Sequence, residues 1–297
     1  MAVIATGFFD GVHSGHRLVI DTLLSEACAR GEESVVVTFW PHPRVTLGKD
    51  ADSLRLLTSR ADKEEIILGL GVSRLETVEF SKEFASLSAL DYIRMLRDGY
   101  GCTELVLGYD TRFGSEQLGP QAIADMARAE GVASVIVPPV CAPDTDIPIS
   151  STMVRAALEE GDTVLAAELL GRPYSLSGVV VEGNHLGRTL GFPTANMALD
   201  EPLLLIPRCG VYSSVVNIPD GGQRFLSGMT NVGVRPTVGG SGILTVETHI
   251  FDFDEDIYGH RIRVEFLERI RDERRFPSLD ALRAQLRADA ALIREED

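Results

Sequence analysis

The chain has 297 residues, 44% of them apolar and 24% charged, with a formal net charge of −16. That length admits two domains with sizeable cores, and the acidic balance argues against a nucleic-acid partner, because phosphate backbones are held chiefly by Lys and Arg. No apolar run approaches a membrane span and the N-terminus carries no basic, cleavable leader pattern, so a cytoplasmic protein without a membrane partner is expected. Cys28, Cys102, Cys141 and Cys209 are scattered without a CxxC pair. They are read as buried, reduced thiols, with neither a zinc site nor a disulfide framework.

In chain order, Val3 to Thr6 suits a buried strand, and Leu18, Val19, Leu23 and Ala27 recur at helical spacing until Gly31. Between them lies GFFDGVHSGH, residues 7–16, which sets His13 and His16 where a strand hands over to a helix. The first turn of a helix has unpaired N–H groups and a partial positive charge, which attract anions. Glycines let the backbone approach a phosphate, and imidazoles can donate to it. A glycine-rich turn with two surface histidines is the other reading of this stretch. Up to about residue 168, short apolar runs (VVVTF, LETVEF, ELVLGYD, SVIVPPV) alternate with helical stretches such as ALDYIRMLRDGYG and PQAIADMARAEG. That alternation predicts an α/β fold with a parallel sheet covered on both faces, whose ligands bind at the carboxyl ends of the strands.

After ELLGRPY the rhythm changes to closely spaced strands with turn signals: SLSGVVVEGN, CGVYSSVVNIPDGG, FLSGMTNVGV, ILTVETHIFDFDED and HRIRVEFLERI. These predict a small antiparallel barrel. A final helix begins near Ser278, a suitable N-cap, with Leu279, Leu282, Leu286 and Ile293 along one stripe. The boundary falls near residue 170, giving domains 1–170 and 171–297. In GNHLGRTLGFPTAN, residues 183–196, period-two spacing sets Thr194 and Asn196 on one face of an extended segment, where their oxygens can hold Mg²⁺ and a nucleotide phosphate. A barrel hairpin with a stiff Pro turn is the alternative. No GxxxxGK[ST] loop occurs, which excludes an ordinary P-loop kinase. In LTVETHIFDF, Glu247 and His249 share one face and Val246, Thr248 and Ile250 the other. A carboxylate there suits a kinase base, or a solvated strand surface.

With these motifs in hand, the chain resembles, nearly end to end, the prokaryotic bifunctional riboflavin kinase/FMN adenylyltransferase family. The resemblance rests on GFFDGVHSGH, TFWPHPR, LGYDTRFG and ISSTMVR in the first half. In the second it rests on GRTLGFPTAN, GVY, TNVGVRPT, ETHIFDFDEDIYG and IRDERRF. It implies a HxGH nucleotidylyltransferase domain followed by a six-stranded antiparallel barrel with a terminal helix. It further implies that His13 and His16 hold the phosphates of ATP, with Gly7, Phe9, Asp10, Gly11, Ser150, Ser151, Thr152 and Arg155 around them. Pro41, His42, Pro43, Asp110 and Arg112 fall beside the flavin of that domain. In the barrel, the resemblance gives Mg²⁺–ATP to Thr194 and Asn196, framed by Gly183, Gly187, Arg188, Gly191 and Pro193. It gives the general-base role to Glu247, and to Arg271 a place in a loop over the flavin. Met153 and Thr111 stand where many members have a basic residue and a Phe, and the chain begins almost at its first strand, where many members carry a short extension. The activities implied are phosphorylation of riboflavin to FMN and adenylylation of FMN to FAD, on small-molecule substrates, with an oligomer left open. The competing expectations are an adenylyltransferase whose barrel binds flavin without catalysis, and a non-catalytic flavin-binding protein.

Overall fold

The computed structural model describes residues 1–48, 53–183, 186–219, 224–235 and 242–296. Residues 184–185 of the GNHLG stretch, 220–222 of the IPDGG turn and 236–237 of TNVGVRPT lie outside the described residues. The chain forms two compact units, Met1–Ser151 and Thr152–Asp297.

The first unit runs β1 (Ala2–Thr6), a 3-10 turn (Asp10–Val12), α1 (Ser14–Arg30), β2 (Glu33–Trp40), α2 (Pro43–Leu47), α3 (Arg60–Gly69) and β3 (Arg74–Glu79). It continues with α4 (Lys82–Ala85), α5 (Ala89–Tyr100), β4 (Cys102–Gly108), α6 (Pro120–Ala129) and β5 (Ala133–Val137). The strands pair in parallel in the order β3-β2-β1-β4-β5. Strand alternation feeds two cores. Ile4, Val35, Val37, Leu105 and Leu107 pack under Ile93 and Leu96 of α5 and Ile123 of α6. Val3, Ala5, Val36 and Val106 pack under Ile20 and Leu23 of α1 and Ile67 of α3. Each fully buried Ile, Leu or Val contributes about 1.5–3 kcal/mol, so this sheet is fixed from both sides. The chain leaves β1 toward β2 on one side and returns to β4 on the other, opening a crevice at the carboxyl ends of β1 and β4.

The second unit holds α7 (Ser151–Glu160) from its second residue on, α8 (Thr163–Leu170), β6 (Tyr174–Val181), α9 (Leu186–Leu190), β7 (Ala195–Leu199) and β8 (Gly210–Ile218). It ends with β9 (Arg224–Arg235), β10 (Ile243–Ile250), β11 (Arg261–Arg271) and α10 (Leu279–Glu296). Six of these strands close an antiparallel barrel in the order β10-β7-β6-β11-β8-β9. The compact units part ahead of residue 170 because α8 packs on β6 and β11, burying Ala166, Leu169 and Leu170. Thr163 Oγ1 also donates to Leu267 O at 2.7 Å.

Helix α10 starts as its cap suggests, with Ser278 Oγ accepting from Ala281 N at 3.2 Å. Its apolar stripe begins later than expected. Ile293 and Leu286 reach the barrel core beside Val211, Met229 and Phe251, whereas Leu279, the helix's first residue, remains exposed. The thiols also differ from expectation. Cys102 is buried on β4, which pushes its pKa up to about 12, but Cys28 on the outer side of α1 and Cys141 in the loop after β5 are exposed. No helix among the described residues is long and apolar enough to cross a membrane.

Candidate active sites

The loop after β1 is shaped by unusual backbone. Phe9 and Val12 have φ of 54° and 42°, and Gly11 between them has 79°. A buried β-branched residue in this region is strained by about 1–3 kcal/mol, so packing must hold it. Asp10 does much of that holding: its carboxylate accepts from Leu57 N at 2.9 Å and Thr58 N at 3.3 Å, while Gly11 N donates to Thr58 Oγ1. Ser151 Oγ donates to Asp10 O at 3.0 Å, tying the same turn to the start of α7. These bonds turn Asp10 and Gly11 into the protein.

The loop delivers two histidines to the first turn of α1. His13 caps the helix, its Nδ1 accepting from His16 N, and the two rings stack 3.7 Å apart. Gly15 makes this possible, since a Cβ there would lie 3.2 Å from the His13 ring. Burial, then the neighbouring His13 and Lys63, hold the His16 pKa well below the usual imidazole value, so its ring is neutral at pH 7. Its Nδ1 is buried and has no hydrogen-bond partner among the described residues.

Both histidines line a cavity of about 220 Å³ in the crevice between β1 and β4. Gly7, Phe9, Asp110 and Arg112 line it with them, as does Thr111, which stands where many family members have a Phe; Phe8, Phe39 and Phe113 line it too, and sequence reading did not place them there. The chain turns beneath it after β4, with Thr111 N donating to Gly108 O. Pro41, His42 and Pro43 stand beside the cavity without lining it; the His42 ring meets Phe8 edge-on at 4.3 Å. Ser150 precedes α7. Thr152 and Arg155 lie on α7 within the second unit.

In the barrel, two cavities of about 290 and 350 Å³ share Thr194. The smaller is lined by Arg188, Pro193 and Thr248 and closed by residues 253–258. The larger is lined by Gly187, Asn231, Glu247, His249 and Arg271. Gly183, Arg188, Thr194 and Asn196 also surround a small pocket of their own. The glycines are required by close approach: a Cβ on Gly183 would lie 2.2 Å from Asn196 Nδ2, and one on Gly187 2.3 Å from Phe192 O. Gly191, at φ 83°, ends α9 and turns the chain into Pro193 and β7. A short helix therefore occupies part of the segment that also read as a hairpin.

Strand register brings the remaining groups together. Glu247 of β10 pairs across to Asn196 of β7 on one side and Asn231 of β9 on the other. His249 Nδ1 donates to Pro193 O at 2.7 Å, tying β10 to the turn before β7. Burial lowers the pKa of that ring. Asn231 lies in the TNVGVRPT motif, but its place opposite Glu247 becomes visible only with the strand register.

Arg271 is clamped by Asp289 of α10, whose Oδ2 accepts from Nε at 2.9 Å and from Nη2 at 2.7 Å; Gln285 Nε2 donates to the same carboxylate. Asp289 is 3% exposed. Removing one partner of a buried pair strands the other charge, so Asp289→Ala is expected to destabilise the barrel by about 3 kcal/mol. A lowered denaturant midpoint for that transition is the measurement, and an unchanged midpoint would contradict the clamp.

A parallel sheet with stacked histidines at its switch point and a barrel with paired cavities fit a two-part enzyme handling phosphorylated small molecules. The family model described as FAD synthetase matches residues 1–153, and the one described as riboflavin kinase matches residues 170–296. Three bacterial relatives share the name bifunctional riboflavin kinase/FMN adenylyltransferase. That of Bacillus subtilis (strain 168) is 36% identical over 97% of this chain and 90% of its own. That of Pseudomonas fluorescens is 38% identical over 98% and 92%, and that of Escherichia coli (strain K12) 37% over 99% and 92%. The chain belongs to the bifunctional riboflavin kinase/FMN adenylyltransferase family. A solved chain described as a macrolide-efflux protein from Streptococcus pneumoniae matches with a TM-score of 0.88 at 34% identity, over 99% of this chain and 93% of that one.

Proposed function

We propose that the family's two activities are divided between functional domains 1–170 and 171–297, supported by the models' matches to residues 1–153 and 170–296. The protein phosphorylates riboflavin with ATP to give FMN, then joins FMN to the AMP part of a second ATP, giving FAD and pyrophosphate. In this reading the barrel performs the first reaction. ATP occupies the cavity bordered by Arg188 and Pro193, and riboflavin the cavity bordered by Glu247 and Arg271. What carries the assignment is that the two cavities meet at Thr194, with Glu247 on the flavin side only.

The Thr194 hydroxyl and Asn196 amide oxygen are hard donors that fit Mg²⁺, which takes few protein ligands and completes its shell with phosphates and water. The metal would offset phosphate charge during transfer. Glu247 accepts the proton of the attacking ribityl hydroxyl. In the first domain the α1 N-terminus, His13, His16, Gly7 and Phe9 receive the ATP phosphates, assisted by Ser150, Ser151, Thr152 and Arg155. Asp110 and Arg112, with Pro41, His42 and Pro43 nearby, serve the flavin. Asp10 and Gly11 shape the loop from behind. Neither reaction needs a covalent enzyme intermediate, so positioning and charge neutralisation carry the rate. We place the protein in the cytoplasm.

Incubation with riboflavin, ATP and Mg²⁺ followed by chromatography tests the division. FMN and then FAD are expected. FAD formed only from supplied FMN would leave the barrel a binding module, and no turnover of either flavin would leave a non-catalytic protein.

A further inference from the structure

Lys63 is a lysine in the core of the first unit, 1% exposed, on a helix whose sequence ADKEEIILG gives it no apolar disguise. Ser59 caps α3 through Asp62 N at 3.0 Å and so aims the first turn inward. The ammonium donates to Phe8 O at 2.9 Å and Phe39 O at 3.3 Å, and lies 4.0 Å from the Phe8 ring centroid. Two carbonyls and the π face of Phe8 thus meet its three N–H groups, with the Trp40 ring centroid 5.7 Å away. Among the described residues no carboxylate forms an ion pair with it. Burying an ammonium is costly, and two carbonyls alone could be satisfied by a neutral donor, as Thr38 Oγ1 already does for Phe8 O at 3.1 Å. A charge kept there at such cost points to a use for the charge.

The neighbours suggest that use. Phe8 and Phe39 line the same cavity as His13 and His16, so the ammonium sits directly behind the cavity wall. Its two carbonyl partners lie at the start of the loop after β1 and near the end of β2, and both oxygens are turned toward the ammonium. His16 is neutral, so it brings a donor without a full charge. In a chain of net charge −16, a triphosphate needs a local cation.

We propose that Lys63 is a positioning residue for adenylyl transfer: clamped to the Phe8 and Phe39 carbonyls, its ammonium fixes the loop carrying the histidines and supplies positive potential beneath the ATP phosphates. This rests on the reading of that cavity as the FMN adenylyltransferase site. Burial draws the lysine pKa down to about 8, opposed by Asp10 of the loop and Glu64 of α3 and assisted by Arg60; His16 of α1 faces it as a neutral group. The cation is therefore present at pH 7 and lost as pH rises through about 8.

The test follows FAD formation from supplied FMN in the full chain from about pH 7 to about pH 9.5, a span that brackets the shifted lysine while exposed lysines stay charged. Wild-type kcat/KM for ATP should fall through about 8, and a profile flat across that range overturns the proposal without any variant. Lys63→Gln retains donors for the carbonyls, and Lys63→Met retains only the length. Both should lose roughly tenfold or more at neutral pH, the scale of one charge acting through partly screened protein, and both should lose the alkaline fall. An unchanged thermal unfolding profile reports that the variant is folded, and riboflavin phosphorylation serves as the control in the same sample. A folded Lys63→Gln protein with the wild-type rate and profile overturns the role. His16→Ala run in parallel separates the premises: if it keeps full adenylylation, the site assignment fails, whereas its loss beside a normal Lys63→Gln protein rejects the lysine alone.

Discussion

His16→Ala is expected to lower FAD formation by roughly 10²- to 10³-fold, the usual cost of removing one preorganised donor to transition-state phosphate charge, with FMN formation nearly unchanged. His13→Ala is expected to do the same by a second route. His13 caps α1 and stacks on His16, so its loss disturbs the helix N-terminus as well as the donor set. Removing a cap costs about 1 kcal/mol, too little to unfold a sheet with cores on both faces. The rate loss should therefore greatly exceed any loss of stability. Assaying riboflavin phosphorylation and FMN adenylylation on the same preparation decides the matter. Equal loss of both reactions would mean that the histidines serve the whole chain, and intact adenylylation would remove them from the chemistry.

The acid dependence of stability in the first unit follows from the same geometry. His16 stays neutral well below the ordinary imidazole range because burial and the neighbouring His13 and Lys63 charges all oppose its protonation. Its native pKa lies below the unfolded value of about 6.5, so the unfolded chain gains the proton first on acidification. The stability contributed by the neutral ring is then lost as pH falls below about 6.5.

The parallel sheet was legible because its central strands β1, β2 and β4 are buried on both faces and read as nearly continuous apolar runs. The barrel was legible for another reason: Val246, Thr248 and Ile250 alternate with Glu247 and His249, and the former three are buried. The two histidines could be placed because a glycine-rich strand-to-helix turn is a local feature. What escaped the sequence depends on contacts distant in the chain. Lys63 looks like one of the solvated charges of α3, and only packing against the loop after β1 and the end of β2 reveals it as a core residue. Asp10 reads as part of a phosphate loop, yet its carboxylate is spent on the amides of Leu57 and Thr58. Helices α7 and α8 continue the α/β rhythm of the first half, but α8 packs on β6 and β11 because its buried face includes Ala166, Leu169 and Leu170. Asn231 sits in the TNVGVRPT motif, but its place opposite Glu247 depends on the pairing of β10 with β9.

Glu247→Gln is expected to lower FMN formation by roughly 10²-fold or more, since a missing general base removes a contribution of about 10² to 10⁴. The substitution keeps the size of the side chain and its capacity for hydrogen bonds. Asn196 and Asn231 stand opposite Glu247 in the adjacent strands, and both amides can pair with a glutamine as readily as with a carboxylate. The barrel should therefore stay folded, and His249 should keep its bond to Pro193 O, which holds the turn before Asn196 independently of residue 247. Riboflavin binding should change far less than turnover, because the larger cavity is walled mostly by other groups, among them Phe276, Leu282 and the Asp289-clamped Arg271. Adenylylation of supplied FMN should persist, since its cavity lies within residues of the first unit. The decisive measurement is single-turnover phosphorylation with riboflavin and Mg²⁺–ATP both saturating, which separates the chemical step from binding. A Glu247→Gln protein that phosphorylates riboflavin at the wild-type rate would make the residue a strand carboxylate at the cavity wall. The proton of the ribityl hydroxyl would then go to another acceptor on that cavity wall, Nε2 of His249, whose Nδ1 is held by Pro193 O, or the carboxylate of Glu273, or else to a phosphate oxygen or water.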